Sequence, residues 1–298
     1  MSIKEYVTEI VELLEKELGG YGYSILTKEI QKNNGIAKNA VILKREGEVV
    51  SPTIYLDYEY ELYEKGIRTA EDAVQCICDS LDDMEKKSQQ FSDVNNLFDN
   101  WQEKIVYRLI STKLNEQLLQ DIPSIPFLDL SICFYLVVDQ DEKGVSSAVL
   151  TNDWLERLDT NVKELYHLAE VNTPRLFPMK LELLSDLLIE HFEQQLPDDI
   201  STIEQDNFYI LTNEVGVYGA TVLLYQDVIA DLANQEDDDL YLLPSSVHEF
   251  LVLPASQCGN IKEFHDMVKE INHECVVKEE WLSNHAYLYK KEEKKFFF

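Results

Sequence analysis

Positive charge is scarce in this sequence. Its 298 residues hold 26 Lys and Arg against 56 Asp and Glu, a formal net charge of −30. That balance excludes binding to nucleic acid or anionic lipid through the bulk surface, which requires basic faces. Glycine is also sparse, with 10 residues. None falls in a G-x-G-x-x-G or P-loop pattern, so those phosphate cradles are absent. Gly216-Val217-Tyr218-Gly219 is a G-x-x-G, but it lacks the basic neighbours of a nucleic-acid clamp. The five cysteines, Cys76, Cys78, Cys133, Cys258 and Cys275, are odd in number and irregularly spaced. They read as reduced thiols in a cytoplasm rather than a disulfide framework. Cys76 and Cys78 sit two apart in a helical pattern, on different faces, which argues against a zinc site. No long apolar run occurs. The stretch Ile132 to Val138 is far short of the ~20 residues of a spanning helix. The opening Met1-Ser2-Ile3-Lys4-Glu5 has neither the basic nor the apolar region of a signal peptide. The six histidines are scattered, and His265 and His273 are too far apart on one helical pattern to share a metal. No metal and no cofactor is expected.

What is present is an ordinary folded composition, 45 % hydrophobic. Ile3, Val7, Ile10, Val11, Leu14 and Leu18 recur at helical spacing up to Gly19-Gly20. Strands are expected at Tyr23–Ile30 and Ile36–Lys44, around an Asn33-Asn34-Gly35 turn, and at Thr53–Leu56. A helix is expected from Thr69 to Lys87, with Asp72 completing the cap, and a shorter one over Ser92–Trp101.

Beyond the proline-rich stretch 121–126, the pattern predicts a strand at Leu130–Val138 with a hairpin onto Val145–Leu150. Helices are expected at Val162–Val171, ending before Pro174, and at Leu181–Leu196. Strands at Phe208–Leu211 and Tyr218–Leu224, a helix at Asp227–Leu232, strands at Leu240–Leu243 and Phe250–Leu253, and a helix at Ile261–Ile271 follow. Single helices alternating with hairpin-joined strands point to an α+β fold of mostly antiparallel sheets with packed helices. Two lobes are expected, residues 1–125 and 126–298. The charged stretch 85–93 is a second candidate boundary.

The scarcity of cations is sharpest from Leu181 to Ile261, 81 residues with 16 acids and no Lys or Arg. On a helix over Leu181–Leu196, Glu182, Asp186, Glu190 and Glu193 would form a ladder with steps of roughly 6 Å along the axis. A second acidic run is Glu236, Asp237, Asp238 and Asp239. These eight residues are the candidate contact with a basic partner protein, in the sharpest form as a nucleic-acid mimic. A solvated acidic face is the plainer alternative. No direct nucleic-acid contact and no membrane contact is expected.

Ser245, Ser246, His248 and Glu249 form a polar group between two apolar strands. They are the alternative site, for nucleophilic chemistry or ligand binding if the loop folds back on itself. The plainer account is a polar turn. His248-Glu249 lacks the second histidine of a zinc-protease helix, because position 252 is Val. Asp139-x-Asp141 with Gly144 mimics a calcium loop, but Lys143 and Leu150 occupy ligand positions. The C-terminal Phe296-Phe297-Phe298 reads as a frayed tail.

Several segments resemble a bacterial family of unknown function. They are Asn33-Asn34-Gly35, Ser51 to Leu56 with Tyr63 and Gly66, Asn172-Thr173-Pro174 and Tyr218-Gly219-Ala220. Leu243 to Glu249 through Leu253-Pro254, Met267 to Asn272, and Leu282-Ser283 with Tyr287 continue the match. The resemblance implies gut-dwelling Firmicutes and their prophages and conjugative elements. It implies no activity and no site residues. Accessory genes of such elements often encode anti-defence proteins, which makes a non-enzymatic inhibitor of a CRISPR or restriction nuclease the concrete expectation.

Overall fold

The computed structural model describes residues 1–45, 51–89, 99–141, 144–192 and 207–298. The fold is α+β, and among the described residues it has three sheets in which every strand pairing is antiparallel. It divides into two compact units: residues 1–32 with 36–100, and residues 33–35 with 101–298. The division therefore lies at Asn100 and Trp101 instead of near residue 125. The reason is strand pairing, since residues 105–111 and 124–127 both hydrogen-bond to the strand that begins at Leu130.

In the first unit, helix α1 (Ile3–Leu18) starts at a reciprocal cap. Ser2 Oγ accepts the Glu5 N–H, and the Glu5 carboxylate accepts the Ser2 N–H at 2.7 Å. Its buried face, Tyr6, Ile10, Leu14 and Leu18, repeats every four residues. That face joins one core with Val41, Leu43, Ala73 and Ile77. Strands β1 (Tyr23–Gln31), β2 (Ala37–Arg45) and β3 (Thr53–Tyr55) form the sheet. Helix α2 (Asp57–Glu64) follows β3 directly and was not expected, because its eight residues begin without a side-chain cap. Helix α3 (Ala70–Gln89) begins where expected, with Thr69 and Asp72 exchanging hydrogen bonds. The expected helix over Ser92–Trp101 falls mostly outside the described residues. Its last residue opens a single 3-10 turn, Trp101–Glu103.

Among its described residues the second unit holds two sheets. One is built on β6 (Leu130–Asp141), with β4 (Ile105–Ser111) along one edge. β5 (Ser124–Phe127) and β7 (Gly144–Val149) lie end to end along the other edge. Residues 142 and 143 of the calcium-loop mimic lie outside the described residues. β4 was not anticipated. All seven of its residues are buried, so it carries no polar–apolar alternation. The other sheet has six strands in the order β13-β12-β10-β11-β9-β8. Its strands are β8 (Met179–Leu183), β9 (Tyr209–Asn213), β10 (Leu240–Ser246), β11 (Glu249–Pro254), β12 (Tyr287–Lys290) and β13 (Lys295–Phe297).

Three expectations are corrected here. Helix α4 (Val162–Leu176) runs through Pro174 instead of stopping before it. The Phe177 N–H closes the last turn on Thr173 O at 2.8 Å. The expected strand Tyr218–Leu224 is a 3-10 helix, Gly219–Leu224, five of whose six residues are buried. The C-terminal phenylalanines are no frayed tail. β13 pairs with β12, and Phe296 packs against Phe127 and Tyr289.

Candidate functional site

The acidic ladder does not form on one helix. Glu182 lies on β8, where Met-Lys-Leu-Glu-Leu alternates with period two and pairs with β9, Glu182 opposite Ile210. Helix α5 (Leu184–Phe192) begins only after it. Glu182 is bridged by Lys180 at 2.8 Å, while Asp186 is exposed in the first turn of α5, where a carboxylate favours the helix dipole. Glu190 belongs to α5, but its side chain lies outside the described residues, as does all of Glu193.

The second acidic run is a folded turn at the end of helix α6 (Val228–Glu236). The Glu236 carboxylate accepts Tyr209 Oη at 2.6 Å and Asn207 Nδ2 at 2.7 Å. Burial, then that hydrogen bond, pushes the Tyr209 phenol up to about 12. Asp237 takes a left-handed conformation (φ 54°) that ends the helix, and its carboxylate pairs with Lys291, which lowers its pKa. Asp238 accepts the N–H groups of Asp239 and Ser256, both at 2.8 Å, and Asp239 accepts the Lys291 N–H at 2.8 Å. Of the four, Asp237 alone is exposed.

The polar group at 245–249 is the tip of the β10–β11 hairpin. Ser246 Oγ accepts the His248 N–H at 3.0 Å, and His248 Nδ1 accepts the Tyr218 N–H at 3.1 Å. His248 Nε2 faces Glu280 at 3.7 Å. Ser246 therefore serves its own turn instead of the imidazole, as a serine hydroxyl commonly does. The tip is also held by Gly219. A Cβ there would overlap Thr212 Oγ1 and the His248 carbonyl and lie 2.8 Å from Asn213 N.

A denser polar cluster lies elsewhere in this unit. Asp129, in the β5–β6 turn after Leu128 (φ 56°), accepts three hydrogen bonds. Ser283 Oγ donates at 2.7 Å and Tyr287 Oη at 2.6 Å, and His285 Nδ1 lies at 3.0 Å. Burial, then Asp129, drives the Tyr287 phenol well above its ordinary range. Helix α7 (Ile261–Cys275) fixes the loop that carries these residues. His265 Nδ1 accepts the Ala286 N–H at 2.9 Å, and Asn272 Nδ2 donates to Ser283 O and to Asn284 Oδ1, each at 2.9 Å. The His265 and His285 rings meet edge to face at 5.5 Å, and Phe298 lies 5.6 Å from His285.

A carboxylate on Nδ1 orients an imidazole and leaves Nε2 for proton transfer. Ser283, however, donates to the carboxylate and accepts the His285 N–H at 2.9 Å, so it is not placed as a nucleophile on that ring. This cluster escaped the sequence reading because its partners stand 154 to 158 residues apart. Among the described residues, no group of three or more metal-ligating side chains converges. Among the same residues, no helix is long and apolar enough to cross a membrane.

The description "Family of unknown function (DUF5688)" covers residues 3–291 of the chain. No curated protein and no solved structure matches it.

Proposed function

The chain belongs to the DUF5688 family of unknown function, and we propose that it is a non-enzymatic acidic protein that engages a basic, nucleic-acid-binding protein. The narrower form of this reading is an anti-defence inhibitor carried by a mobile element and acting in a bacterial cytoplasm. It would occupy the nucleic-acid cleft of a CRISPR or restriction nuclease. The observation that carries the proposal is the 81-residue stretch with 16 acids and no Lys or Arg. Within it, Asp186, Glu214, Asp227 and Asp231 are exposed and ion-pair with no described Lys or Arg. Glu182 and the run Glu236–Asp239 add to the negative potential, although most of their oxygens are engaged internally. Steering by such a field depends on charge and weakens as salt screens it.

The test is binding of the full chain to candidate nucleases at low salt, with elution by a salt gradient and competition by DNA or RNA. Retention that nucleic acid competes away, and that is lost in the Asp186→Lys, Glu214→Lys, Asp227→Lys, Asp231→Lys variant, supports the proposal. Undiminished binding by that variant counts against it.

A second reading, proton-transfer chemistry at His285, is favoured by the Asp129–His285 pair at 3.0 Å. It predicts an activity that His285→Gln abolishes without changing the fold.

A further inference from the structure

Three segments of the second unit border a cavity of about 360 Å³. The first is the 3-10 turn Trp101–Glu103, tied to helix α4 because Asn172 Nδ2 donates to Gln102 O at 2.6 Å. The second follows a short helix, Asn152–Arg157. There Asp159 takes a left-handed conformation (φ 49°), and the Thr160 N–H donates to Leu155 O at 3.0 Å. The third is the first two turns of α4, where Glu164, His167 and Leu168 stand at i, i+3 and i+4 and so share one face. Asn161 caps that helix by accepting the N–H groups of Lys163 and Glu164.

The lining divides by chemistry. Trp101, Leu158 and Leu168 are half-buried and supply the apolar surface. Asp159, Glu164 and His167 are exposed and supply the polar rim. Among the described residues no Lys or Arg lines the cavity. Thr160 Oγ1 donates to Glu164 Oε2 at 2.9 Å, and Glu164 Oε1 and both Asp159 carboxylate oxygens are left unpaired among the described residues. An indole face attracts a cation through its quadrupole, and two carboxylates reinforce that preference. Asp159, Glu164 and His167 do not converge on a point where they could share a metal ion, so the positive charge must arrive on a molecule that fills the space. The volume is that of a small-molecule site.

We propose that this cavity binds a small organic cation, an alkylated ammonium. Its methyl groups pack against Trp101 and the two leucines, and Asp159 and Glu164 balance its charge. The net charge of −30 gathers all cations loosely, so the site is distinguished by saturation and by its preference for an apolar coat around the charge.

The experiment titrates the full chain with choline and with its neutral isostere 3,3-dimethyl-1-butanol, at one ionic strength, by calorimetry and ligand-observed NMR. Choline should bind saturably at one site, about tenfold more tightly than the isostere. Trp101→Leu should weaken choline about tenfold, and so should the Asp159→Asn, Glu164→Gln variant. The Glu274→Gln, Glu292→Gln variant removes two exposed charges elsewhere and should leave binding unchanged. Should Trp101→Leu fail to fold, the carboxylate variant and the isostere decide the matter. Choline uptake that does not saturate overturns the proposal, as does an isostere that binds equally well. So does a loss in the Glu274→Gln, Glu292→Gln variant as large as in the cavity variants, because the general field would then account for the binding.

Discussion

The Asp129 carboxylate accepts the Tyr287 phenol at 2.6 Å, so a turn of one sheet is bonded to a strand of the other across 158 residues of sequence. Ser283 and His285 converge on the same carboxylate. Asp129 is therefore a structural hub before it is anything else.

Asp129→Ala strands the Ser283 and Tyr287 hydroxyls and is expected to cost about 2–3 kcal/mol in denaturant unfolding. Tyr287→Phe removes one of the three bonds and should cost about 1 kcal/mol. Equal losses in the two variants would mean that Ser283 and His285 contribute nothing through Asp129.

The pH dependence of stability should carry a contribution from His265. Burial, then the neighbouring His285 and Lys269, holds its pKa below the ordinary value of 6.5. The unfolded chain then binds the proton more readily than the folded one. The stability from neutral His265 is full above pH 6.5 and is lost as pH falls through the lowered folded value. Protonation also places a hydrogen on Nδ1, against the Ala286 N–H. His265→Gln keeps an acceptor without a titration, so its unfolding free energy should be flatter below pH 6.5 than that of the wild type. Parallel curves would remove His265 from the account.

Gly219→Ala should destabilise by about 2–4 kcal/mol, because two of the three crowded atoms are backbone and cannot rotate away. Gly20→Ala, where a Cβ meets nothing within 4 Å, is the control and should leave unfolding nearly unchanged. A wild-type midpoint for Gly219→Ala would show that the hairpin tip gives way readily.

A chain of this charge repels itself, and salt should relieve part of that. Raising sodium gluconate should raise Tm, and should raise it less in the Asp186→Lys, Glu214→Lys, Asp227→Lys, Asp231→Lys variant. Identical slopes would place the repulsion outside the 181–261 stretch.

Helix α1, the β1–β2 and β6–β7 hairpins and the fold class were legible because local pattern and tertiary context agree there. The opening of the Leu181–Leu196 stretch was not, because leucines at 181, 183, 184, 187 and 188 satisfy both periods, and only pairing with β9 decides for strand. β4 had no period to read. The Asp129 cluster is a product of topology, with no local spacing to betray it.

Other residues were visible as motif without visible purpose. Asn172 Nδ2 donates to the carbonyls of Gln102 and Ile105, while Thr173 takes the Tyr107 N–H from the open edge of β4. Asn34 exchanges hydrogen bonds with Asn115 and donates to Trp281 O. The segments that carry the family resemblance thus include side chains that clamp backbone.

The grip on the β10–β11 tip bears on where this molecule opens. A hairpin turn is ordinarily among the first places to exchange its amides or admit a protease. Here the His248 carbonyl accepts Thr212 Oγ1, the Val247 N–H donates to Glu280 O, and the Val247 carbonyl accepts the Ala220 N–H. Breathing at that tip requires three separate segments to let go together. Amide exchange at Val247 and His248 should therefore be as slow as in the strands they join, and limited proteolysis should begin elsewhere in the chain.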